Sequence, residues 1–328
     1  MLNILVTGSS GLVGSALFNI LEKFQNESEN INKINLIRFS SKDANLCVYD
    51  TSYEYIKQLH NTMPIDGIIH LAANVGGLFK NMAYPVEMIQ DNLLMNTNIL
   101  KIAHELNINN VIVCLSTCIF PDTVASYPIS IEDLHSGPPH HSNEGYAYAK
   151  RLCDSLTRAY QKQYGCRYFC IVPTNIYGPH DNFDLHDAHV IPALIHKCWV
   201  AKKNNEQFII AGTGSPLRQF IFSEDLAYLI LWSYFNYTNI EKPLILCPPN
   251  SEVSISNIVT HIAELFDYKN NIIYDVTKPN GQYKKTAQSL SVEEINYTFK
   301  PIEEGLRITI NWFNTQLKNN KNIRGVII

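Results

Sequence analysis

The sequence has no excess of charge of either sign, no apolar run long enough to cross a bilayer and no internal repeat. Its 26 Lys+Arg and 30 Asp+Glu leave a net charge of −4, which excludes a dedicated nucleic-acid binder. The missing apolar run of about 20 residues excludes a helical membrane span. Its eight cysteines form no zinc or redox pattern: Cys114/Cys118 and Cys166/Cys170 are four apart, not the three of C-x-x-C. They are scattered, several within apolar strands, which fits a reducing compartment. The opening Leu2-Asn3-Ile4-Leu5-Val6 lacks the basic start and small-residue cleavage site of a signal peptide. A cytoplasmic location is expected. With 328 residues the chain can form one large domain or two modest ones without disulfides or structural metal.

Short β-branched runs alternate with helical stretches over the first half. Strands are expected at 2–6, 34–39, 67–72, 111–115 and 167–172, and helices at 14–24, 85–106 and 144–164. This alternation predicts an α/β fold, a Rossmann-type doubly wound parallel sheet. After Gly178-Pro179 the alternation loosens. Helices are expected at 190–202, from 224, at 257–266 and at 305–317, with short strands at 207–211 and 218–222. We therefore expect a Rossmann-type nucleotide domain over 1–178 and a smaller C-terminal α/β domain over 179–317, with some elements crossing back. Residues 318–328 form a tail, whose Lys/Asn-rich stretch from Lys318 to Arg324 is expected to fray.

Thr7-Gly8-Ser9-Ser10-Gly11-Leu12-Val13-Gly14 lies between the first strand and the first helix. Glycines let a backbone approach a pyrophosphate, and the helix N-terminus then offers free N–H groups. An ordinary tight βα turn can share the spacing, but the strand before and the helix after supply the context a dinucleotide site needs. An NAD site usually ends its second strand with an acid for the ribose 2′-hydroxyl. Here Ser41 and Lys42 precede Asp43, so a 2′-phosphate and NADP(H) are predicted, unless Lys42 is a solvated loop lysine.

Tyr146 and Lys150 have the Y-x-x-x-K spacing, which puts both on one helix face. An ammonium beside the phenol is expected to lower its pKa, and such a tyrosine can exchange a proton with a carbonyl oxygen while hydride moves at carbon. Ser116 ends a strand, where open α/β sheets bind ligands, and can support a developing oxyanion. Cys118 follows two residues later. A thiol whose pKa is tuned towards neutrality adds the capacity to move a proton on carbon. Free cysteines are more often inert and buried, and Cys114, Cys166 and Cys170 are expected to be so.

The chain resembles the extended short-chain dehydrogenase/reductases that act on nucleotide sugars, from Ile4 to about Phe313. The blocks that carry the likeness are Leu71-Ala72-Ala73-Asn74-Val75-Gly76-Gly77, Leu115-Ser116-Thr117-Cys118-Ile119-Phe120-Pro121, Pro173-Thr174-Asn175-Ile176-Tyr177-Gly178-Pro179-His180-Asp181-Asn182-Phe183, His189-Val190-Ile191-Pro192-Ala193 and Lys278-Pro279-Asn280-Gly281. Within that family it is similar to the members that epimerise GDP-4-keto-6-deoxy-D-mannose at carbons 3 and 5 and reduce carbon 4 with NADPH.

The resemblance implies Cys118 as base and His189 as acid in the epimerisations, with Ser116 and Tyr146 on the enolate oxygen and Tyr146 as proton donor in the reduction. It implies cofactor contacts from Gly8, Ser9, Ser10, Gly11, Leu12, Val13 and Gly14, from Leu71, Ala72, Ala73 and Leu115, from Lys150, from Pro173, Thr174, Asn175 and Ile176, and from His189. It implies substrate contacts from Asn182, Lys197, Arg218 and Asn280, and a homodimer built on the helices at 85–106 and 144–164. Ala211 stands where many relatives have tryptophan, and Asn280 where aspartate is common. His186-x-x-His189 lacks the H-E-x-x-H form and further ligands, so no metal is expected. The alternatives are a nucleotide-sugar 4-epimerase or 4-keto-reductase of the same fold, and a non-catalytic NADP-binding protein.

Overall fold

The computed structural model describes residues 1–27, 33–278, 280, 282–288 and 295–326. Its first sheet is built from β1 (Leu2–Thr7), β2 (Ile34–Phe39), β3 (Gly67–His70), β4 (Asn110–Cys114) and β5 (Arg167–Pro173). Between them run α1 (Leu12–Glu27), α2 (Tyr49–Thr62), α3 (Leu78–Ala83), α4 (Pro85–Glu105) and α5 (Glu144–Tyr164). The sheet continues into the second half. After β6 (Asn175–Tyr177), α6 (Val190–Asn204), β7 (Phe208–Ala211) and β8 (Leu217–Phe222), the chain forms α7 (Ser223–Asn236) and β9 (Leu244–Leu246). β9 pairs with β5 in parallel and gives the order β2-β1-β3-β4-β5-β9. Strand order reverses between β1 and β3, the crevice where open α/β sheets bind their ligands.

Apolar side chains on both faces of the strands explain the two covering layers. Leu5, Ile68, Val111 and Val113 join the core shared with α4 and α5, whereas Ile4, Val6, Ile69 and Ile112 join the one shared with α1 and α7. Each such fully buried Leu, Ile or Val contributes about 1.5–3 kcal/mol. α4 begins with Pro85, whose missing N–H costs nothing at a helix start. α4 and α5 pack so closely that a Cβ at Gly145 would stand 2.8 Å from the Pro85 carbonyl oxygen.

β3 stops at His70, short of the expected residue 72, because the Leu71 and Ala72 amides donate to the Thr7 hydroxyl at 3.1 and 3.2 Å. That detour brings the end of β3 under the glycine loop.

The second unit contains β10 (Glu252–Ser254), α8 (Ile255–Leu265), β11 (Ile272–Asp275), β12 (Lys284–Lys285) and α9 (Ile302–Lys318). β8 is its centre, flanked by β10, β12 and β6, while β7 and β11 form a separate parallel pair. A third core, including Phe183, Ile191, Phe208, Phe222 and Phe313, holds it together. The expected frayed tail is corrected here. Ile323 and Val326 are buried in this core, and the Phe183 amide donates to the Arg324 carbonyl at 2.9 Å. No helix of the described residues is long and apolar enough to cross a membrane.

Candidate active site

The glycine loop is shaped for a close ligand. A Cβ at Gly8 (φ +69°) would stand 2.9 Å from the Ala72 nitrogen, and one at Gly14 would stand 2.5 Å from the Gly8 carbonyl oxygen. Only glycine permits this packing, which leaves the start of α1 facing the crevice. Thr7 Oγ1 meets His70 Nδ1 at 2.7 Å, and His70 Nε2 meets Asn96 Oδ1 at 3.0 Å. Burial lowers the His70 pKa to about 3, so the neutral ring serves as a fixed strut.

The edge of this cradle holds a residue that sequence reasoning missed. Arg38, exposed near the end of β2, lies 3.6 Å above the Phe18 ring and donates to the Ser9 carbonyl at 3.3 Å. Its guanidinium therefore borders the glycine loop. Its place at an exposed strand position just before the nominated Ser41 and Lys42 was the available signal. Ser41 and Lys42 themselves stand exposed on the next turn. Asp43 is exposed as well but is engaged locally, accepting from the Ser40 amide at 2.7 Å, from the Ser40 hydroxyl at 2.9 Å and from Tyr55 at 3.2 Å. That carboxylate is occupied, whereas the cations stay open.

Lys150 is almost fully buried, and its ammonium donates to the Cys114 carbonyl at 2.9 Å. A buried ammonium with three donors requires further acceptors, which ribose hydroxyls can supply. Thr174 also carries a buried hydroxyl oxygen with no partner. These unsatisfied groups and the glycine cradle together fit a dinucleotide. Asn175, by contrast, spends its amide on the Gln219 carbonyl at 2.8 Å.

Ser116 directly follows β4 and Leu115, and its Oγ accepts from the Cys118 amide at 3.3 Å, capping a short 3-10 turn over Thr117–Ile119. That cap fixes serine and thiol on one wall, while Tyr146 and Lys150 come from the first two turns of α5. The ionisation differs from expectation. Burial pushes the Tyr146 phenol well above its ordinary value, reinforced by the neighbouring Cys118, Cys114 and Cys153. Lys150 Nζ sits 6.0 Å from the phenol ring centre and spends a hydrogen bond on Cys114, so it does not reverse this effect. Burial also raises the Cys118 thiol, opposed by Lys285, Ser116 and Lys150. Lys285, on β12, is a second residue that the sequence did not single out. Its charge acts on Cys118 and stands beside Arg218.

His189 immediately precedes α6. Its side chain is exposed at the cleft, yet protein surrounds its other sides and that desolvation lowers its pKa, with Asp187 opposing and Arg324 reinforcing the shift. The loop before it is tied to the Gly76-Gly77 block: the Gly77 amide lies 3.0 Å from both the Asp187 carbonyl and its Oδ1.

In the second unit, Arg218 donates to the Leu217 and Gln282 carbonyls, each at 2.7 Å. With Ala211, Gly214, Pro216 and Asn280 it lines a cavity of about 180 Å³. Asn280 Oδ1 accepts from the Thr213 amide at 2.7 Å and its hydroxyl at 3.0 Å, leaving the Asn280 amide nitrogen to donate. Its flanking Pro279 and Gly281 lie outside the described residues. Asn182 Oδ1 accepts from the Asp184 amide at 3.2 Å. Lys197 stands exposed on α6 and makes no hydrogen bond or ion pair with Arg218 or Asn280 among the described residues.

Residues 4–246 match the model of the NAD dependent epimerase/dehydratase family. GDP-L-fucose synthase of Dictyostelium discoideum is 45% identical over 94% of this chain and 94% of its own length. A probable GDP-L-fucose synthase of Drosophila melanogaster is 39% identical over 95% of this chain and 97% of its own. The crystal structure of a GDP-L-fucose synthetase from Naegleria fowleri bound to NADP superimposes with a TM-score of 0.85 at 38% identity, covering 97% and 95% of the two chains.

Proposed function

Because the chain belongs to the NAD dependent epimerase/dehydratase family, and within it to the GDP-L-fucose synthases, we propose that it epimerises GDP-4-keto-6-deoxy-D-mannose at carbons 3 and 5 and reduces carbon 4 to give GDP-L-fucose. The observation that carries this reading is the meeting of Cys118 with Ser116, Tyr146 and Lys150 at the end of β4, in a chain aligned with such enzymes over almost its whole length.

The cofactor is NADP(H). Gly8 and Gly14 make room for the pyrophosphate at the start of α1, Lys150 and Thr174 offer polar groups to the nicotinamide half, and Arg38 with Ser41 and Lys42 receives the 2′-phosphate. Bound NADPH supplies the hydride to carbon 4.

Before reduction, the ketone acidifies the hydrogens on carbons 3 and 5. The Cys118 thiolate removes one, and electron density moves onto the carbonyl oxygen, which Ser116 and Tyr146 hold through their hydroxyl protons. His189 returns a proton to carbon on the opposite face. Once the Cys118 thiol has released its proton to water and His189 has taken one up from water, repetition at the second carbon completes the epimerisation. In the reduction Tyr146 gives its proton to the oxygen of carbon 4. A phenol whose burial keeps it protonated suits that task. Lys285 and Lys150 favour the Cys118 thiolate against the cost of burial.

Arg218 and Lys197 meet the diphosphate, and Asn182 and Asn280 meet the sugar or base. Exposed Val86 and Leu94 on α4, and Tyr148 and Leu152 on α5, provide an apolar face for a second copy of this chain. Eight free cysteines fit a cytoplasmic location.

Incubation with GDP-4-keto-6-deoxy-D-mannose and NADPH in deuterated water tests the reading. Deuterium at both carbons 3 and 5 of a GDP-L-fucose product is expected. Turnover of a UDP-hexose with no NADPH consumed would replace this reading with a simple 4-epimerase.

A further inference from the structure

The segment after α9 returns to the loop that carries His189. Ile323 and Val326 are buried in one cluster with Phe183, Ile191 and Ile195. Between them the Arg324 carbonyl accepts from the Phe183 amide at 2.9 Å. Gly325 has φ +81°, and a Cβ there would stand 2.2 Å from the Asp184 nitrogen and 2.5 Å from Asn182 Oδ1. The strap thus lies against the backbone of the 181–189 loop with no room for a side chain. Asp181, at the head of that loop, accepts from the Asn182 amide at 2.7 Å through Oδ1, while its Oδ2 is buried with no partner.

We propose that Arg324 is a positioning residue of the active site: its backbone straps the 181–189 loop in place, and its guanidinium strengthens His189 as a proton donor. This rests on the reading of His189 as the acid. One cation acts on two groups of the loop, favouring the carboxylate of Asp181 and disfavouring protonation of His189. An imidazolium that holds its proton less tightly gives it up more readily to carbon. The groups that act on the ring are Asp187 from its own loop and Arg324 from the strap. Lys80 on α3 is 4.0 Å from the Asp187 carboxylate, so its positive charge opposes part of that carboxylate's field. Asp187 alone favours the imidazolium; Arg324 offsets it.

The experiment is NMR titration of the His189 ring in the NADP+-bound protein, with the resonance assigned by its loss in His189→Asn. It is run on the wild-type protein and on Arg324→Gln and Arg324→Lys. The Arg324 side chain is exposed, so these variants retain the core. Arg324→Gln is expected to move the His189 midpoint to higher pH, and the alkaline limb of deuterium incorporation at carbons 3 and 5 with it. Arg324→Lys is expected to restore both, because it restores the charge. An unchanged midpoint in Arg324→Gln overturns the electrostatic role. Gly325→Ala is expected to speed hydrogen exchange of the Phe183 amide, and unchanged protection overturns the strap. Wild-type protein that fails to turn over the 4-keto sugar defeats the proposed function instead, and the titration still reports on Arg324.

Discussion

Lys285 and Arg218 are register partners across the ladder between β12 and β8. Two cations held side by side repel each other, and burial costs both of them, so the pair invites an anion. Lys285 also acts on Cys118, so an anion held by this pair, such as the diphosphate proposed for Arg218, would be coupled to the thiol.

That link predicts a double effect for Lys285→Met. Loss of one charged contact is worth about 1.5–3 kcal/mol, and relief of repulsion at Arg218 offsets part of it. GDP binding should therefore weaken by roughly tenfold, the low end of that range. The Cys118 thiol should titrate at still higher pH, seen as slower iodoacetamide labelling at neutral pH. Unchanged labelling would show that Lys285 serves the diphosphate alone.

Cys118→Ser separates the two halves of the reaction. The cap from Ser116 Oγ to the residue 118 amide uses only backbone at that position, so the turn survives. A hydroxyl cannot act as the base near neutral pH. We expect deuterium incorporation at carbons 3 and 5 to fall by about 10²-fold or more, with NADPH binding intact. Normal yields of the L-fucose product from this variant would falsify the base assignment.

Cofactor choice should depend on Arg38 more than on Lys42. Arg38 is held over Phe18 and against the glycine loop, whereas Lys42 is an exposed turn residue free to move. Arg38→Ala should cost NADPH about 1.5–3 kcal/mol, or roughly 10- to 150-fold in Kd. NADH, lacking the 2′-phosphate, should change little. Calorimetric titration of both cofactors checks this, and equal losses would remove Arg38 from the phosphate site.

The central strands were legible because each is a short β-branched run, and the glycine loop because strand and helix flank it. What escaped reading was placed by distant contacts. α2 has helical spacing, with Tyr49, Tyr53, Ile56 and Leu59 turned to the core, but the stripe is half tyrosine in a polar segment and does not stand out as an apolar run. β9 joins the first sheet from beyond α7, where the three-residue Leu244–Leu246 run has no local sign of its partner. Ile323 and Val326 are masked by the Lys/Asn-rich composition around them, although their burial determines where the strap lies. Composition also cannot supply the desolvation that raises Tyr146 and Cys118, since it depends on walls built by separate elements.

The buried Asp181 carboxyl makes stability depend on pH with a definite sign. Burial raises its pKa from 3.8 to about 7, against the Asn182 amide and Arg324. Between those values the folded chain binds more protons than the unfolded chain, so stability falls as pH rises through that window and the loss is complete above about 7. Asp181→Asn keeps an oxygen to accept from the Asn182 amide and cannot ionise. Its Tm should match the wild type near about pH 4.5 and exceed it near about pH 8. Adding Arg324→Gln to the wild-type carboxylate should deepen the alkaline loss, because the guanidinium is its cationic neighbour. The same addition to Asp181→Asn should cost less. Calorimetric melts of the four proteins at both pH values measure this coupling. Additivity between the two substitutions at alkaline pH would show that Arg324 does not support the Asp181 carboxylate.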